Sequence, residues 1–341
     1  MSWSLADVLA AIILASLTAY VLFGGADFGG GVWDLLASGP RRGEQRRLIS
    51  QAIAPVWEAN HVWLIVAIVL LFTCFPAAFA RIATVLHIPL TLMLIGIVLR
   101  GSAFMSRSYG GGGGRVFATA SLITPLLLGV CVGAVASSAV GEAERATGGG
   151  FFGGYVAPWL TPFAFAVGVF ALACFAFLAA VYLTLEARDR GLQNDFRARA
   201  LCAGIAVSVT AAVGLLLSPQ APLVQRGLLA ARWGLGLHLL TGVAALTVFW
   251  ALWTRRYPIA RVAAAAQVAL IVWGWGLAQY PYIVPPALTI EAAAAPRITL
   301  ELVIAAVSVG AVVLFPSLYY LLRVFKGRSA AQPTTQPRPQ R

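Results

Sequence analysis

Charged residues are scarce in this sequence, and their scarcity excludes an ordinary soluble domain. Only 11% of the 341 residues are Asp, Glu, Lys or Arg, whereas 60% are hydrophobic and the mean hydropathy is +0.86. The longest stretch between apolar runs, residues 138–157, is rich in glycine and too short for a separate soluble domain. The composition therefore predicts an integral membrane protein whose chemistry lies in or beside the bilayer.

Cysteine and histidine are also rare, which removes the commonest metal-ligand patterns. The four cysteines stand singly inside apolar runs without Cys-x-x-Cys spacing, so they indicate neither a disulfide framework nor a thiolate site and are expected in the core. The three histidines, His61, His87 and His238, fall on different predicted helices, and no pair has ligand spacing. A lone histidine in an apolar span is more often a packing residue or a proton relay than a ligand. We therefore predict no metal site in this chain.

Nine apolar runs are long enough to cross a bilayer, since a spanning helix needs about 20 apolar residues. They cover residues 5–24, 55–75, 78–100, 116–137, 158–185, 200–218, 231–253, 262–280 and 299–322. When the loops are assigned to alternating sides, most of the 24 basic residues fall on one side. By the positive-inside rule, the amino terminus then lies outside and the carboxyl terminus in the cytoplasm. This topology explains the formal charge of +12 without nucleic acid, which would require one contiguous basic soluble face.

Two segments at the ends of the chain carry separate expectations. The first apolar run lacks a basic start and a small-residue cleavage site, so it is expected to remain as a membrane span. The last residues, 327–341, are rich in Pro, Gln, Thr and Arg, and their composition is typical of disorder. We therefore divide the chain into a polytopic membrane domain, residues 1–326, and a disordered basic cytoplasmic tail, residues 327–341.

A dense polar cluster stands at the mouth of the second apolar run, in residues 55–65. At about 100° per residue on a helix, Glu58, Asn60 and His61 share one arc with Trp57, while Trp63 lies outside it. Uncompensated charges facing lipid are costly, so the cluster is expected to face a protein interior or a wet cavity. The alternative is an interfacial belt that anchors the end of the helix.

The third run ends at Arg100, on the predicted cytoplasmic side. The short connection containing Pro76 predicts that the second and third spans are antiparallel neighbours. Glu58 and Arg100 would then meet in an ion pair near the cytoplasmic surface. The alternative is that Arg100 extends to lipid headgroups.

Asp27 stands in a run of glycines, residues 24–31, at the predicted cytoplasmic end of the first span. A phosphate-binding loop would need a Walker lysine or a dinucleotide fingerprint, and neither is present. Asp27 either caps the next helical turn beside closely packed glycines or contributes to a proton entrance.

Together, four segments resemble subunit II of the cytochrome bd quinol oxidases. They are Gly-Gly-Ala-Asp-Phe-Gly at 24–29, residues 53–65, Leu-Phe-Thr-Cys-Phe-Pro at 71–76, and Leu-Arg-Gly at 99–101. The match is strong over the first 110 residues and rests on topology beyond them. The resemblance implies an all-α integral membrane protein of about nine helices, in two pseudo-repeated four-helix bundles plus one peripheral helix.

The resemblance also implies a role in a bacterial respiratory complex of the cytoplasmic membrane, which oxidises quinol and reduces dioxygen to water. In that family haem b558, haem b595, haem d and the main quinol site belong to subunit I. This chain would be the non-haem-ligating member of a heterodimer, in contact with membrane lipid and quinone. A small single-span subunit is a further candidate partner, whereas nucleic acid is not expected.

Carried over by position, Glu58 stands where the family has an acid at a cytoplasmic proton entrance. Arg100 and Asp27 occupy further matching positions, and His61 follows Glu58 by about one turn as a candidate proton relay. Family members often have Gln where His61 stands. The alternative function is a proton-coupled secondary transporter, but such proteins concentrate polar groups at broken helices near the midplane, whereas these residues cluster by the cytoplasmic edge.

Overall fold

The fold is known from a computed structural model that describes residues 3–53, 57–108, 112–143 and 150–329. Helices dominate these residues, which confirms the predicted all-α membrane class. Eight helices in the described part of the chain are long and apolar enough to cross a membrane alone. They are α1 (Leu5–Leu35), α5 (His87–Ser108), α6 (Gly114–Ala136), α9 (Pro162–Glu186), α10 (Arg190–Leu216), α12 (Arg232–Trp253), α13 (Tyr257–Gln279) and α15 (Arg297–Ser329).

Shorter elements connect these helices. They are α2 (Arg42–Ile53), α3 (Trp57–Cys74), α4 (Pro76–Val85), α7 (Ala139–Glu142), α8 (Gly150–Tyr155), α11 (Pro222–Gln225) and α14 (Ile290–Ala293), with a 3-10 turn at Ser218–Gln220 and a π turn at Arg226–Ala230. A two-stranded antiparallel hairpin precedes α14. Its strands are β1 (Tyr282–Val284) and β2 (Leu288–Thr289). The sequence patterns did not predict this hairpin.

The first helix is longer than its apolar run predicted, because it continues through the glycines to Leu35. Asp27 therefore lies inside α1, eight residues before its end, and does not cap the start of another helix. Eight residues of α-helix correspond to about 12 Å. The capping alternative for Asp27 is thus wrong, and this carboxylate is placed well inside the helix.

The connection after α3 also differs from the prediction. The predicted third span, residues 78–100, begins as the separate helix α4, which starts with Pro76 and bends by 116° relative to α3. The next span is α5, which begins only at His87. Proline at the first helical position favours a new helix there because it has no N–H to leave unsatisfied. Counted as one bent crossing, α3 and α4 bring the spans of the described chain to nine.

Packing places α1 and α9 at the centre of the first compact unit, residues 1–295. α1 packs against α3, α6, α9 and α13, whereas α5 packs mainly against α6. The predicted direct pairing of α3 with α5 is therefore wrong, since α4 separates them in sequence and α1 is the main packing partner of α3. Residues 296–341 form the second compact unit, whose described part is Pro296 and α15.

The core of the first unit is built from aliphatic and aromatic side chains of α9, α10 and α13, among them Phe177, Phe196 and Val268. Three of the cysteines, Cys74, Cys131 and Cys174, are buried as expected. Cys202 is not: it is exposed on α10. The prediction that all four cysteines are core residues is therefore wrong for Cys202, whose side of α10 faces away from the neighbouring helices.

A polar network joins α2 to α10 on the predicted cytoplasmic side. Arg41 donates to Asp195 with an Nη2–Oδ1 distance of 2.5 Å, and Gln45 Nε2 donates to the same carboxylate at 2.9 Å. The hydrogen bond to Asp195 raises the pKa of the Arg41 guanidinium. Arg199 donates to Gln45 Oε1 at 2.8 Å and stacks 5.5 Å from the Trp33 ring. This network fixes the segment between α1 and α2 against α10.

Candidate functional site

A buried ion pair lies between α1 and α5. Arg100 is 2% exposed and Asp27 is fully buried. Arg100 Nη1 donates to Asp27 Oδ2 at 2.8 Å, Nη2 donates to Oδ1, and Nη2 also donates to the Asp27 carbonyl oxygen at 3.0 Å. Two parallel N–H···O bonds make the pair bidentate, which is the strongest geometry that arginine and a carboxylate adopt.

The remaining faces of the Arg100 guanidinium are also occupied. Its Nε donates to Ser121 Oγ at 3.0 Å, and Ser121 donates in turn to the Phe117 carbonyl at 2.7 Å. The rings of Phe28 and Phe117 lie 4.6 Å and 5.1 Å from Arg100 Cζ. A buried charge is tolerated only when it is paired and hydrogen-bonded, and Arg100 meets both conditions. The predicted alternative, Arg100 extending to lipid headgroups, is therefore wrong.

Glycines of α1 allow the neighbouring helices to come this close. A Cβ on Gly31 would overlap the Ser121 hydroxyl, so only glycine lets α6 place Ser121 beside Arg100. A Cβ on Gly29 would overlap the Phe175 carbonyl of α9. Small residues at helix contacts are the usual device for close approach in membrane proteins. The glycine run therefore builds the site by close packing of α1 against α6 and α9.

The first turns of α3 border this pair. The His61 ring lies 6.4 Å from the Phe28 ring, which itself stacks on Arg100. Asn60 is fully buried, and neither its Oδ1 nor its Nδ2 has a hydrogen-bond partner. Its Nδ2 lies 3.2 Å from the position that a Cβ on Gly24 would take. Unpaired amide groups are costly in a protein interior, so Asn60 stands out in this region.

Glu58 lies in the first turn of α3, but its side chain falls outside the described residues. The predicted Glu58–Arg100 pair therefore stays a prediction. The described carboxylate partner of Arg100 is Asp27.

A cavity of about 420 Å³ lies in the first unit among α1, α6, α9, α10, α12 and α13. Its wall is mostly apolar, but three of its lining residues carry buried polar atoms without a hydrogen-bond partner: Ser218 Oγ, Gln267 Oε1 and Trp275 Nε1. Apolar cavities with a few convergent polar groups are typical binding sites for small molecules. This cavity suits an apolar molecule that carries a hydrogen-bonding group.

Comparison with known proteins identifies the architecture around this site. A family model described as cytochrome bd terminal oxidase subunit II matches residues 5–325, almost the whole chain. The chain belongs to this family. Subunit II is part of a terminal quinol oxidase, an oxidoreductase complex that contains haem, acts on quinol and includes a partner subunit. Because the chain belongs to this family, the alternative function of a proton-coupled secondary transporter is rejected.

Individual relatives agree with this assignment. A Bacillus subtilis (strain 168) protein provisionally named cytochrome bd menaquinol oxidase subunit II is 22% identical over 326 residues, which cover 92% of this chain and 93% of that protein. The cytochrome bd ubiquinol oxidase subunit 2 of the same organism is 35% identical over 63 residues, 18% of this chain and 19% of that one. The match to the ubiquinol oxidase subunit is short but has the higher identity. The match to the menaquinol oxidase subunit shows that the similarity extends across the chain.

A solved structure shows the same fold. The bd oxidase from Geobacillus thermodenitrificans contains a chain that matches this subunit II chain with a TM-score of 0.78 and 22% identity. The match covers 95% of this chain and 99% of that chain. It confirms the all-α membrane-protein fold that the resemblance implied.

Of the four predicted site residues, the structure brings Asp27 and Arg100 into contact and places His61 on the neighbouring helix. The sequence patterns missed Ser121, because a serine in an apolar run usually bonds to its own helix and gives no sign of a partner elsewhere. They noted Asn60 on the polar arc but did not select it. In the described part of subunit II, no group of three or more His, Cys, Asp or Glu side chains is placed to hold a metal ion.

Proposed function

We propose that this chain is the non-haem-ligating subunit II of a cytochrome bd-type quinol oxidase in the bacterial cytoplasmic membrane, and that it supplies a cytoplasmic proton-uptake path. The complex would oxidise quinol and reduce dioxygen to water, with haem b558, haem b595 and haem d on subunit I. A small single-span subunit is a further proposed partner. The observation that carries the uptake path is the buried Asp27–Arg100 pair beside the polar first turns of α3.

Within this path Glu58 is the proposed proton acceptor. It lies at the first turn of α3, on the side where the basic loops predict the cytoplasm. His61 follows on the same helix and is the proposed relay, because a histidine titrates near neutral pH and can accept and release a proton. Protons would thus enter at the helix end and move inward along α3.

The Asp27–Arg100 pair has a different proposed part. Both oxygens of Asp27 accept hydrogen bonds from one guanidinium, so a proton added to this carboxylate would remove the charge that pairs with Arg100. The pair instead fixes a dipole beside α3 and holds α1, α5 and α6 together. We therefore assign Arg100 and Asp27 to positioning and electrostatic tuning of the path, and proton transfer to Glu58 and His61.

The assignment of the haems to subunit I is supported by the histidines of this chain. His61, His87 and His238 lie on α3, α5 and α12. His87 Nδ1 is 2.9 Å from the Thr84 carbonyl, and His238 Nδ1 is 2.6 Å from the Gly234 carbonyl. The first contact joins the start of α5 to α4, and the second lies within α12. Three histidines on three different helices are few ligands for three haems, which supports haem ligation by the partner subunit.

The large cavity supports a quinone-class ligand as a second property of the same subunit. Its apolar wall suits an isoprenoid tail, and Ser218, Gln267 and Trp275 offer hydrogen-bonding atoms to a ring carbonyl or hydroxyl. Extraction of the purified complex with organic solvent should then release quinone. Gln267→Leu should reduce the amount retained, whereas retention equal to that of the unchanged protein would exclude Gln267 from binding.

The uptake path is tested with Glu58→Gln in the complex with subunit I, with the exposed Glu44→Gln of α2 as a matched control. We expect Glu58→Gln to slow quinol oxidase turnover, while the reduced-minus-oxidised haem spectrum stays unchanged. The control should leave both unchanged. Normal turnover in Glu58→Gln would remove Glu58 from the path, and purification of the chain without a haem-bearing partner would overturn the subunit assignment.

A further inference from the structure

The cytoplasmic end of α12 carries an unusual concentration of arginine. Carbonyl groups at the end of a helix bear partial negative charge, which repels anions. Here Arg197, from α10, donates from Nε to the Leu252 carbonyl at 2.6 Å and from Nη2 to the Trp253 carbonyl at 3.2 Å. This end of the helix is therefore covered by a cation and becomes a basic surface.

The turn that follows α12 adds two more guanidinium groups. Arg255 has φ +60°, the left-handed conformation that glycine usually supplies at the end of a helix. This conformation costs free energy for a residue with a side chain. The backbone alone would therefore favour glycine at position 255, where the chain has a charged residue. Arg256 follows it and is also exposed.

Two indoles frame these arginines. Arg256 Cζ lies 5.0 Å from the Trp250 ring, and Arg197 Cζ lies 5.8 Å from the Trp253 ring. Trp250 is 48% and Trp253 74% exposed. Tryptophan is enriched at the headgroup level of membranes, and a stacked guanidinium keeps its N–H edge free for an anion. Arg256 therefore places its N–H donors where lipid headgroups lie, whereas Arg197, whose Nε and Nη2 bind the helix carbonyls, mainly adds positive charge.

A shallow, open groove leads away from this end. It follows one face of α12 and is lined by Val243, Leu246, Thr247 and Trp250. Seven residues of helix correspond to about 10 Å, so the groove runs from Trp250 toward the middle of the membrane. Its mainly apolar side chains suit contact with a methylene chain.

We propose that this surface, the α12 lipid site of Arg197, Arg255, Arg256, Trp250 and Trp253, binds the phosphate of an anionic phospholipid of the inner leaflet. One acyl chain lies in the groove. Within the described ranges of the chain, no carboxylate forms an ion pair with any of the three arginines, whereas other arginines have such partners. Basic surfaces beside membrane helices on the cytoplasmic side are typical binding sites for anionic headgroups.

The test uses the intact two-subunit complex in detergent, with native mass spectrometry during titration with phosphatidylglycerol, phosphatidylcholine or inorganic phosphate. Arg256→Gln is the main variant, since Arg256 is exposed and its side chain caps no helix. Loss of one charge-assisted contact should weaken phosphatidylglycerol binding about tenfold. Arg256→Lys, which keeps the charge, should recover part of that binding.

Arg261→Gln is the matched control, because Arg261 follows on α13 and packs 5.3 Å from the Tyr182 ring instead. It should leave phosphatidylglycerol binding unchanged. An equal loss in Arg261→Gln, equal binding of phosphatidylcholine, or no loss in Arg256→Gln would overturn the α12 lipid site. Displacement of phosphatidylglycerol by inorganic phosphate at the same concentration would assign the surface to free phosphate and would also overturn it.

Discussion

Arg100 on α5 and Asp27 on α1 form a bidentate pair that is almost completely buried. Among the described residues, the guanidinium also donates to Ser121 and to the Asp27 carbonyl oxygen. The Arg100 guanidinium thus links three helices, α1, α5 and α6.

Removal of one partner should destabilise the subunit strongly. Asp27→Asn leaves Arg100 buried without its counter-charge, and breaking a buried pair in this way costs about 3–5 kcal/mol. We expect a large loss of assembled complex and a lower melting temperature, measured by differential scanning fluorimetry of the purified complex. Glu301→Gln removes the exposed Arg297–Glu301 pair and should change the free energy of unfolding by less than about 1 kcal/mol.

Removal of both charges should be tolerated better. Asp27→Leu combined with Arg100→Met replaces the pair by apolar groups of similar volume, and such replacements are often neutral or stabilising. The double variant should therefore melt at a higher temperature than Asp27→Asn alone. If the double variant were the less stable of the two, the single variant's loss would not come from an uncompensated charge.

Ser121 should contribute through its bond to Arg100. Ser121→Ala removes the acceptor of the Arg100 Nε proton, and a hydrogen bond to a charged group contributes about 1.5–3 kcal/mol. We expect a measurable fall in the melting temperature. Ser102→Ala is the matched control, since Ser102 is exposed and bonds only to the Val98 carbonyl of its own helix. Comparable shifts in the two variants would contradict a specific role for Ser121.

Close packing at Gly29 should make that position intolerant of any side chain. A Cβ there overlaps the Phe175 carbonyl, so Gly29→Ala must push α1 and α9 apart, and overpacking of this kind costs about 1–3 kcal/mol. Gly43→Ala in α2 meets no atom within 4 Å and should be neutral or stabilising, because alanine favours helix. Thermal unfolding of both variants measures these effects. An unchanged melting temperature in Gly29→Ala would show that α1 and α9 separate easily.

Asn60 offers a test that separates stability from turnover. Asn60→Leu removes two buried polar atoms that have no partner, and an unpaired amide costs about 1–3 kcal/mol. The melting temperature should therefore stay the same or rise. Turnover should fall, because the variant makes the turn between Glu58 and His61 more apolar. A marked fall in the melting temperature would show instead that the amide makes stabilising bonds in the complex.

Sequence patterns predicted most of this fold for a clear physical reason. The length of an apolar run can be read directly from the residues. The predicted bounds of the long spans α6, α9, α10, α12 and α13 therefore lie within about ten residues of the bounds in the structure. The glycines around Asp27 misled the prediction because glycine usually ends helices in soluble proteins. In α1 close neighbours on α6 and α9 stabilise the helix instead.

The candidate site was predicted only in part. Composition and position marked Asp27, Arg100, Glu58 and His61 as unusual, but they could not say which carboxylate Arg100 binds. The pairing with Asp27 depends on how α1, α5 and α6 pack together, which no local pattern indicates. No local pattern indicates the 116° bend between α3 and α4 either. A proline after a span is equally compatible with a tight return loop, which would have brought α3 beside α5.

The order of residues along the chain has a consequence for how the pair arises. Asp27 precedes Arg100 by 73 positions, so translation delivers the acid first. When spans insert in the order of their synthesis, the guanidinium leaves water after its counter-ion has entered the membrane on an earlier segment. The free-energy cost of inserting the positively charged α5 is then offset at the moment of insertion. A nascent chain without α1 would have to keep α5 at the membrane surface.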